Sequence, residues 1–179
     1  MISEAFGKQL LIFGMGGHAL VIIDLCRVLG YDVMGYFADK EADSTALNGA
    51  LPVYLGEYDS TIYPTLPLVV AIGHNAIRET ISKQVTHNGI TLIHPRAVVS
   101  NNSSIGIGSV ILANAVIQPL SMIGRFVIIN AGAIIDHEAI VEDFVHIRPA
   151  AYIAGAARIS SGVTVPPFTY VERYTHFDG

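Results

Sequence analysis

Tryptophan is missing from this sequence, and cysteine occurs once, at Cys26. A lone thiol rules out an internal disulfide and fits a reducing compartment, so a cytoplasmic protein is expected. Charge is scarce too: Asp, Glu, Lys and Arg make up 14% of the 179 residues, with a formal net charge of −5. An acidic chain without a basic run is a poor match for nucleic acid. Anionic small ligands stay open, because loops and helix N-termini bind phosphate locally. Met1 to Gln9 lack the charged-then-apolar pattern of a signal peptide. No apolar run reaches membrane-spanning length. Aromatics are few although hydrophobic residues make up 51%, so the core must come from Ile, Val and Ala and suits narrow, regular packing.

The first half alternates strand and helix patterns. Leu10 to Phe13 is a short apolar run closed by Gly14. Ala19 to Leu29 has helical spacing, with Gly30 to stop it. Val33 to Phe37 and Leu66 to Ile72 read as further strands, with a helix from about Asn75 to Thr86. Such alternation predicts a small parallel α/β sheet of Rossmann type over residues 1–88.

The second half obeys another rule. Every sixth residue from Ile93 to Val171 is Ile or Val, fourteen in succession. With about a fifth of the chain Ile or Val, chance gives such a run with odds on the order of 10⁻⁹, so the period belongs to the fold. Four residues after these positions the side chain is mostly small, as at Ser109, Ala115, Ser121, Ala133, Ala139, Ala151 and Ala157. This repeat predicts a parallel β-helix over residues 89–179, at roughly three hexads per triangular coil and about four to five coils. The Ile and Val residues are scaffold and carry no chemistry.

Several residues stand out against that scaffold. Gly14, Gly16, Gly17 and His18 lie between a strand and a helix, where glycines let a phosphate approach free N–H donors. The full G-x-G-x-x-G spacing is absent, and a tight turn alone would use one or two of these glycines. Asp39 and Lys40 follow the second strand, where a dinucleotide fold places its ribose contact; an ordinary polar turn is the alternative. Gly73, His74, Asn75 and Arg78 open the next helix. Asn75 suits a helix cap and Arg78 a phosphate or a surface pair. His137 sits between Asp136 and Glu138, which can orient its ring and stabilise its charged form. His146 is nine residues on, half of an eighteen-residue coil. The two histidines therefore lie on different sides of the prism, and could meet only across a subunit seam.

These stretches, G-M-G-G-H-A-L-V-I-I-D, G-H-N-A-I-R, L-I-H-P-R-A and I-N-A-G-A-I-I-D-H-E-A-I-V-E-D-F-V-H-I-R-P, together resemble the hexapeptide-repeat sugar N- or O-acetyltransferases of the PglD and NeuD type. The resemblance spans nearly the whole chain, and the last stretch is its most specific part. It implies a left-handed β-helix, a homotrimer with interfacial sites, and acetyl-CoA as co-substrate without a metal. It also implies a nucleotide-linked amino sugar, UDP-linked by preference, held by the first domain. By the same resemblance His137 is the general base and Glu138 its partner, Asn130 touches the acceptor sugar, and His146 and Gly155 belong to the acetyl-CoA side. His94, before Pro95 at the junction, reads as structural. The departure is at the end, where R-I-S-S-G-V-T-V-P-P-F-T-Y-V-E-R-Y stands in place of further Gly-rich hexads.

Three other activities compete with N-acetyl transfer. O-acetylation of a sugar hydroxyl, as in sialic-acid-modifying relatives, would use the same base. A metal-dependent hydratase on this scaffold, similar to γ-carbonic anhydrase, needs a His-x₄-His pair, and no two of the seven histidines are five apart. A non-catalytic nucleotide-sugar sensor is the last, and the D-H-E stretch speaks against it.

Overall fold

The structure is a computed structural model that describes residues 8–42 and 51–179. Most of the stretch Met1 to Gln9 lies outside the described residues. The chain divides into two compact units, one of Met1–Ile72 with Ile81–Ile90, the other of Gly73–Thr80 with Thr91–Gly179. Residues 73–80 pack with the repeat.

The first unit holds a three-stranded parallel sheet. β1 (Lys8–Phe13) lies between β2 (Tyr31–Phe37) and β3 (Leu68–Val70). Leu10, Leu11 and Ile12 are fully buried, as expected for a central parallel strand covered on both faces. Helix α1 (Gly17–Val28) buries Ala19, Ile22, Ile23, Leu25 and Cys26. It ends at Gly30, whose φ of +73° gives the left-handed turn that a helix C-terminus favours. Helix α2 (Asn75–Gln84) follows β3.

The second unit is a five-coil parallel β-solenoid with three flat sides. One side stacks β4 (Leu92–Ile93), β7 (Val110–Ile111), β10 (Ile128–Ile129), β13 (His146–Ile147) and β16 (Thr164–Val165). The second stacks β5 (Val98–Val99), β8 (Val116–Ile117), β11 (Ile134–Ile135), β14 (Tyr152–Ile153) and β17 (Tyr170–Val171). The third stacks β6 (Ser104–Ile105), β9 (Met122–Ile123), β12 (Ile140–Val141), β15 (Arg158–Ile159) and β18 (His176–Phe177). In each strand the second residue points inward. From Ile111 to Val171 every such residue is buried, while Val99 and Ile105 are half-buried and Ile93 is exposed. Those three belong to the first coil, which has a neighbouring coil on one side only. Phe177 is a fifteenth inward position; a search for Ile and Val alone misses it.

From Gly108 to Tyr174 each hexad bends through a residue at positive φ. Asn114, Leu120, Phe126, Glu138, Phe144, Ala150, Ala156, Phe168 and Tyr174 all hold this conformation, as do Gly108, Gly132 and Gly162. The left-handed region is costly for side chains with a Cβ. Stacked coils repay it with interstrand bonds, and the small residue that follows closes the bend, as when the Ala115 N–H donates to the Leu112 carbonyl at 3.3 Å.

Asn75 and Arg78 clamp one corner of this solenoid. The carbonyls of Phe126, Phe144 and Gly162 stand eighteen residues apart, one above another. Arg78 Nε donates to Phe126 O at 2.8 Å and Nη2 to Phe144 O at 2.7 Å. Asn75 Nδ2 donates to Gly162 O at 2.8 Å, and its Oδ1 accepts from Arg78 Nη2 at 2.9 Å. The side chains of Phe126 and Phe144 stack 5.7 Å apart along the same corner.

Candidate functional site

In the first unit the loop after β1 and the turn after β2 open a cleft of about 430 Å³, lined by Met15, Gly16 and residues 38–42. The cleft lies beyond the carboxyl ends of parallel strands, where open α/β sheets take ligands. It brings together Gly16, Asp39 and Lys40, three of the residues expected at the nucleotide. Gly16 caps α1 without any side-chain bond, and the first turn carries no acidic residue. The turn wall is fixed from behind: Tyr36 OH accepts the Ala42 N–H at 2.9 Å, and Tyr54 OH donates to Ala38 O at 3.1 Å. Gly14 has a φ of +95°, and a Cβ there would meet the Ile72 side chain at 2.9 Å, so this position demands glycine. Gly17 and His18 begin α1.

Gly73, His74, Asn75 and Arg78 are placed differently. His74 is exposed, but Asn75 and Arg78 are 9% and 1% exposed and bonded to the solenoid corner. Burial pulls the Arg78 guanidinium down to about 10, still a cation at neutral pH. Its donors face the carbonyls of Phe126, Phe144 and Gly73 and the amide oxygen of Asn75, so Arg78 clasps the solenoid corner. Asn75 likewise clasps the solenoid, with Thr164 Oγ1 as a second partner at 2.9 Å.

On the solenoid, His137 and Glu138 lie in the bend between β11 and β12. Glu138 has a φ of +60°, so the bend itself turns its carboxylate. Glu138 Oε2 lies 2.9 Å from His137 Nδ1. A carboxylate only accepts, so Nδ1 donates to it, and in the neutral ring Nε2 keeps a lone pair. The two side chains are 42% and 54% exposed, open enough to meet a substrate. Asp136 Oδ1 accepts the His137 N–H at 2.7 Å, and Oδ2 accepts the Tyr152 hydroxyl at 2.8 Å. Desolvation pushes the Asp136 carboxyl up, but these two hydrogen bonds, with His137 and Arg173 nearby, outweigh it and hold the group below the usual carboxylate range. The same bond pushes the Tyr152 phenol up.

Gly155 stands one coil above His137, and Arg173 one coil above Gly155, at intervals of eighteen residues. Tyr152 and Arg173 escaped the sequence reading. Coil arithmetic is the signal that finds them, since Arg173 stands two coils above His137 and Tyr152 one coil above Ile134, two residues before Asp136.

His146, on the first side of the solenoid, is 4% exposed. Its Nε2 lies 3.3 Å from Asn130 Nδ2 and its Nδ1 lies 3.3 Å from the Gly73 carbonyl. His137 and His146 thus occupy different sides, as the spacing predicts. Residues of its own chain cover the ring.

Comparison with known proteins gives a consistent picture. Residues 9–85 match the family described as the PglD N-terminal domain. A UDP-N-acetylbacillosamine N-acetyltransferase of Bacillus subtilis (strain 168) is 32% identical over 114 residues, covering 59% of this chain and 52% of that protein. The chain therefore aligns with about half the length of this curated relative. Among solved structures, the acetyltransferase domain of PglB from Neisseria gonorrhoeae FA1090 is similar with a TM-score of 0.78 and 28% identity, over 93% of this chain and 92% of that one. A point variant of perosamine N-acetyltransferase from Caulobacter crescentus, solved with CoA and GDP-perosamine, is 30% identical with a TM-score of 0.76. That match covers 97% of this chain and 93% of the other. The solenoid is the left-handed β-helix of these neighbours.

Proposed function

Since the chain belongs to the hexapeptide-repeat sugar acetyltransferase family of the PglD and NeuD type, we propose that it transfers an acetyl group from acetyl-CoA to the amino group of a nucleotide-linked amino sugar. The His137–Glu138 pair carries this reading. An amine attacks a thioester only when it has lost its proton, and Nε2 of His137 presents the lone pair that accepts it. Glu138 on Nδ1 fixes the ring and balances the charge that develops. Gly155 lines the Nε2 side of the ring, and the acyl donor is proposed to approach from there.

The cleft at Gly16, Asp39 and Lys40 is the proposed seat of the nucleotide. A UDP-linked acceptor is favoured by the B. subtilis relative, whereas the C. crescentus structure carries GDP-perosamine. The open face beside His137 favours a homotrimer. Its outward residues are Val98, Val116, Ile134, Tyr152 and Tyr170, an apolar stripe in which Val98 is 65% and Tyr170 62% exposed. Stripes of this kind mark interaction surfaces. A second copy covering it would border the bend that holds His137.

The test is a panel of UDP-, TDP- and GDP-linked amino sugars and their hydroxyl counterparts, with acetyl-CoA consumption followed and mass measured by light scattering. Acetylation of an amino sugar by a trimer is the expected result. Transfer only to hydroxyls would move the reading to an O-acetyltransferase, and binding of a nucleotide sugar without turnover would make the protein a sensor.

A further inference from the structure

Asn130, His146, Gly73 and Arg78 form a directed hydrogen-bond chain. Asn130 Oδ1 accepts the Ala131 N–H at 2.8 Å, which fixes the amide and turns its Nδ2 toward His146. Nδ2 is a donor, so Nε2 of His146 accepts. The Gly73 carbonyl has no proton to give, so Nδ1 of His146 donates to it. Arg78 Nη1 donates to that same carbonyl at 3.2 Å. Read from one end, the chain runs from the Asn130 amide through Nε2 and Nδ1–H of His146 to the Gly73 carbonyl, with Arg78 behind it. Each direction follows from what the atoms are able to donate.

The far end of the chain is held firmly. Arg78 also grips Phe126 O and Phe144 O, and Asn75 grips Gly162 O, so the Gly73 turn is tied to three consecutive coils. Asn130 lies on the middle one of those coils, half-buried, with a second Nδ2 hydrogen.

We infer that Arg78 is a positioning residue: through the Gly73 carbonyl it holds His146 as the neutral Nδ1–H tautomer, and His146 in turn fixes the Asn130 amide as a hydrogen-bond donor to the acetyl-transfer substrates. His146 is then an acceptor that aligns a neighbour, and it moves no proton itself. The kinetic consequence rests on the acetyltransferase reading above; the tautomer does not.

The first measurement uses the unaltered protein. Long-range ¹H–¹⁵N correlation of ¹⁵N-histidine-labelled protein should show His146 protonated at Nδ1 and bare at Nε2, with the assignment made by loss of the signal in His146→Gln. The opposite tautomer overturns the proposal. The second compares Arg78→Met and Arg78→Lys after circular dichroism has confirmed the fold. Arg78→Met should give mixed tautomers at His146 and a loss in kcat/KM of about tenfold, not additive with Asn130→Ala. Arg78→Lys should recover part of both. A folded Arg78→Met with an unchanged tautomer, or with fully additive losses, makes Arg78 a clasp only and overturns the proposal. The tautomer reading needs no acceptor sugar, so failure of the proposed reaction and failure of this inference are read separately.

Discussion

The imidazole of His137 fills the space that a side chain on Gly155 would need. A Cβ built on Gly155 would lie 2.8 Å from Nε2 and 2.9 Å from Cε1. Gly155 itself needs no unusual backbone angle, so its glycine serves the ring above all. Gly155→Ala should therefore leave the fold intact and push the ring out of line. Misplacement on the scale of an ångström costs about 10²-fold in rate. Circular dichroism and kcat together check this; a folded Gly155→Ala with full kcat would mean that the ring's position is unimportant.

Removal of the base should act on turnover. His137→Ala is expected to lower kcat by about 10²–10⁴-fold with little change in acceptor KM. Glu138→Gln keeps the shape but gives up the charge, and its loss should fall between none and that of His137→Ala. Steady-state kinetics with a fixed acceptor decides. Near-full activity in a folded His137→Ala protein would leave substrate positioning as the source of the rate.

Asp136 makes an acid-side prediction. Its carboxyl is held below the usual range in the folded protein by the His137 N–H and the Tyr152 hydroxyl, against the opposing pull of desolvation. The unfolded chain binds that proton more readily. The stabilisation is then present above the unfolded value, about 3.9, and is lost as pH falls through the folded one. Tyr152→Phe removes one donor while keeping the ring stacked on Tyr170. The melting-temperature gap between wild type and Tyr152→Phe should be widest near pH 6 and close at strongly acid pH. A gap that is constant with pH would assign the effect to packing alone.

The inward ladder predicts unequal costs for one chemical change. Ile147 is 0% exposed and Ile93 is 36% exposed. Ile147→Ala should lose about 2–5 kcal/mol of stability, and Ile93→Ala far less. Urea unfolding of both variants measures the contrast, and equal losses would contradict the burial pattern.

Much of this protein was already determined by sequence alone. The six-residue recurrence of Ile and Val fixes the solenoid, because an inward position that repeats at a set interval leaves the chain no other way to bury it. The strand–helix alternation fixes the small parallel sheet, and the D-H-E stretch marks the bend where His137 and Glu138 meet. The tertiary structure decided what depends on stacking. Coils superimpose residues eighteen apart, so the sequence alone puts Gly155 one coil above His137, but the hydroxyl of Tyr152, which stacks on Ile134, reaches the Asp136 carboxylate only once the coils are built. It also decided the fate of Asn75, Arg78 and His146. Their chemistry suits a phosphate or a co-substrate equally well, but bends at regular intervals leave a column of carbonyls at one corner. A guanidinium and an amide one helical turn apart match that column, so these polar groups are held in the protein's own framework.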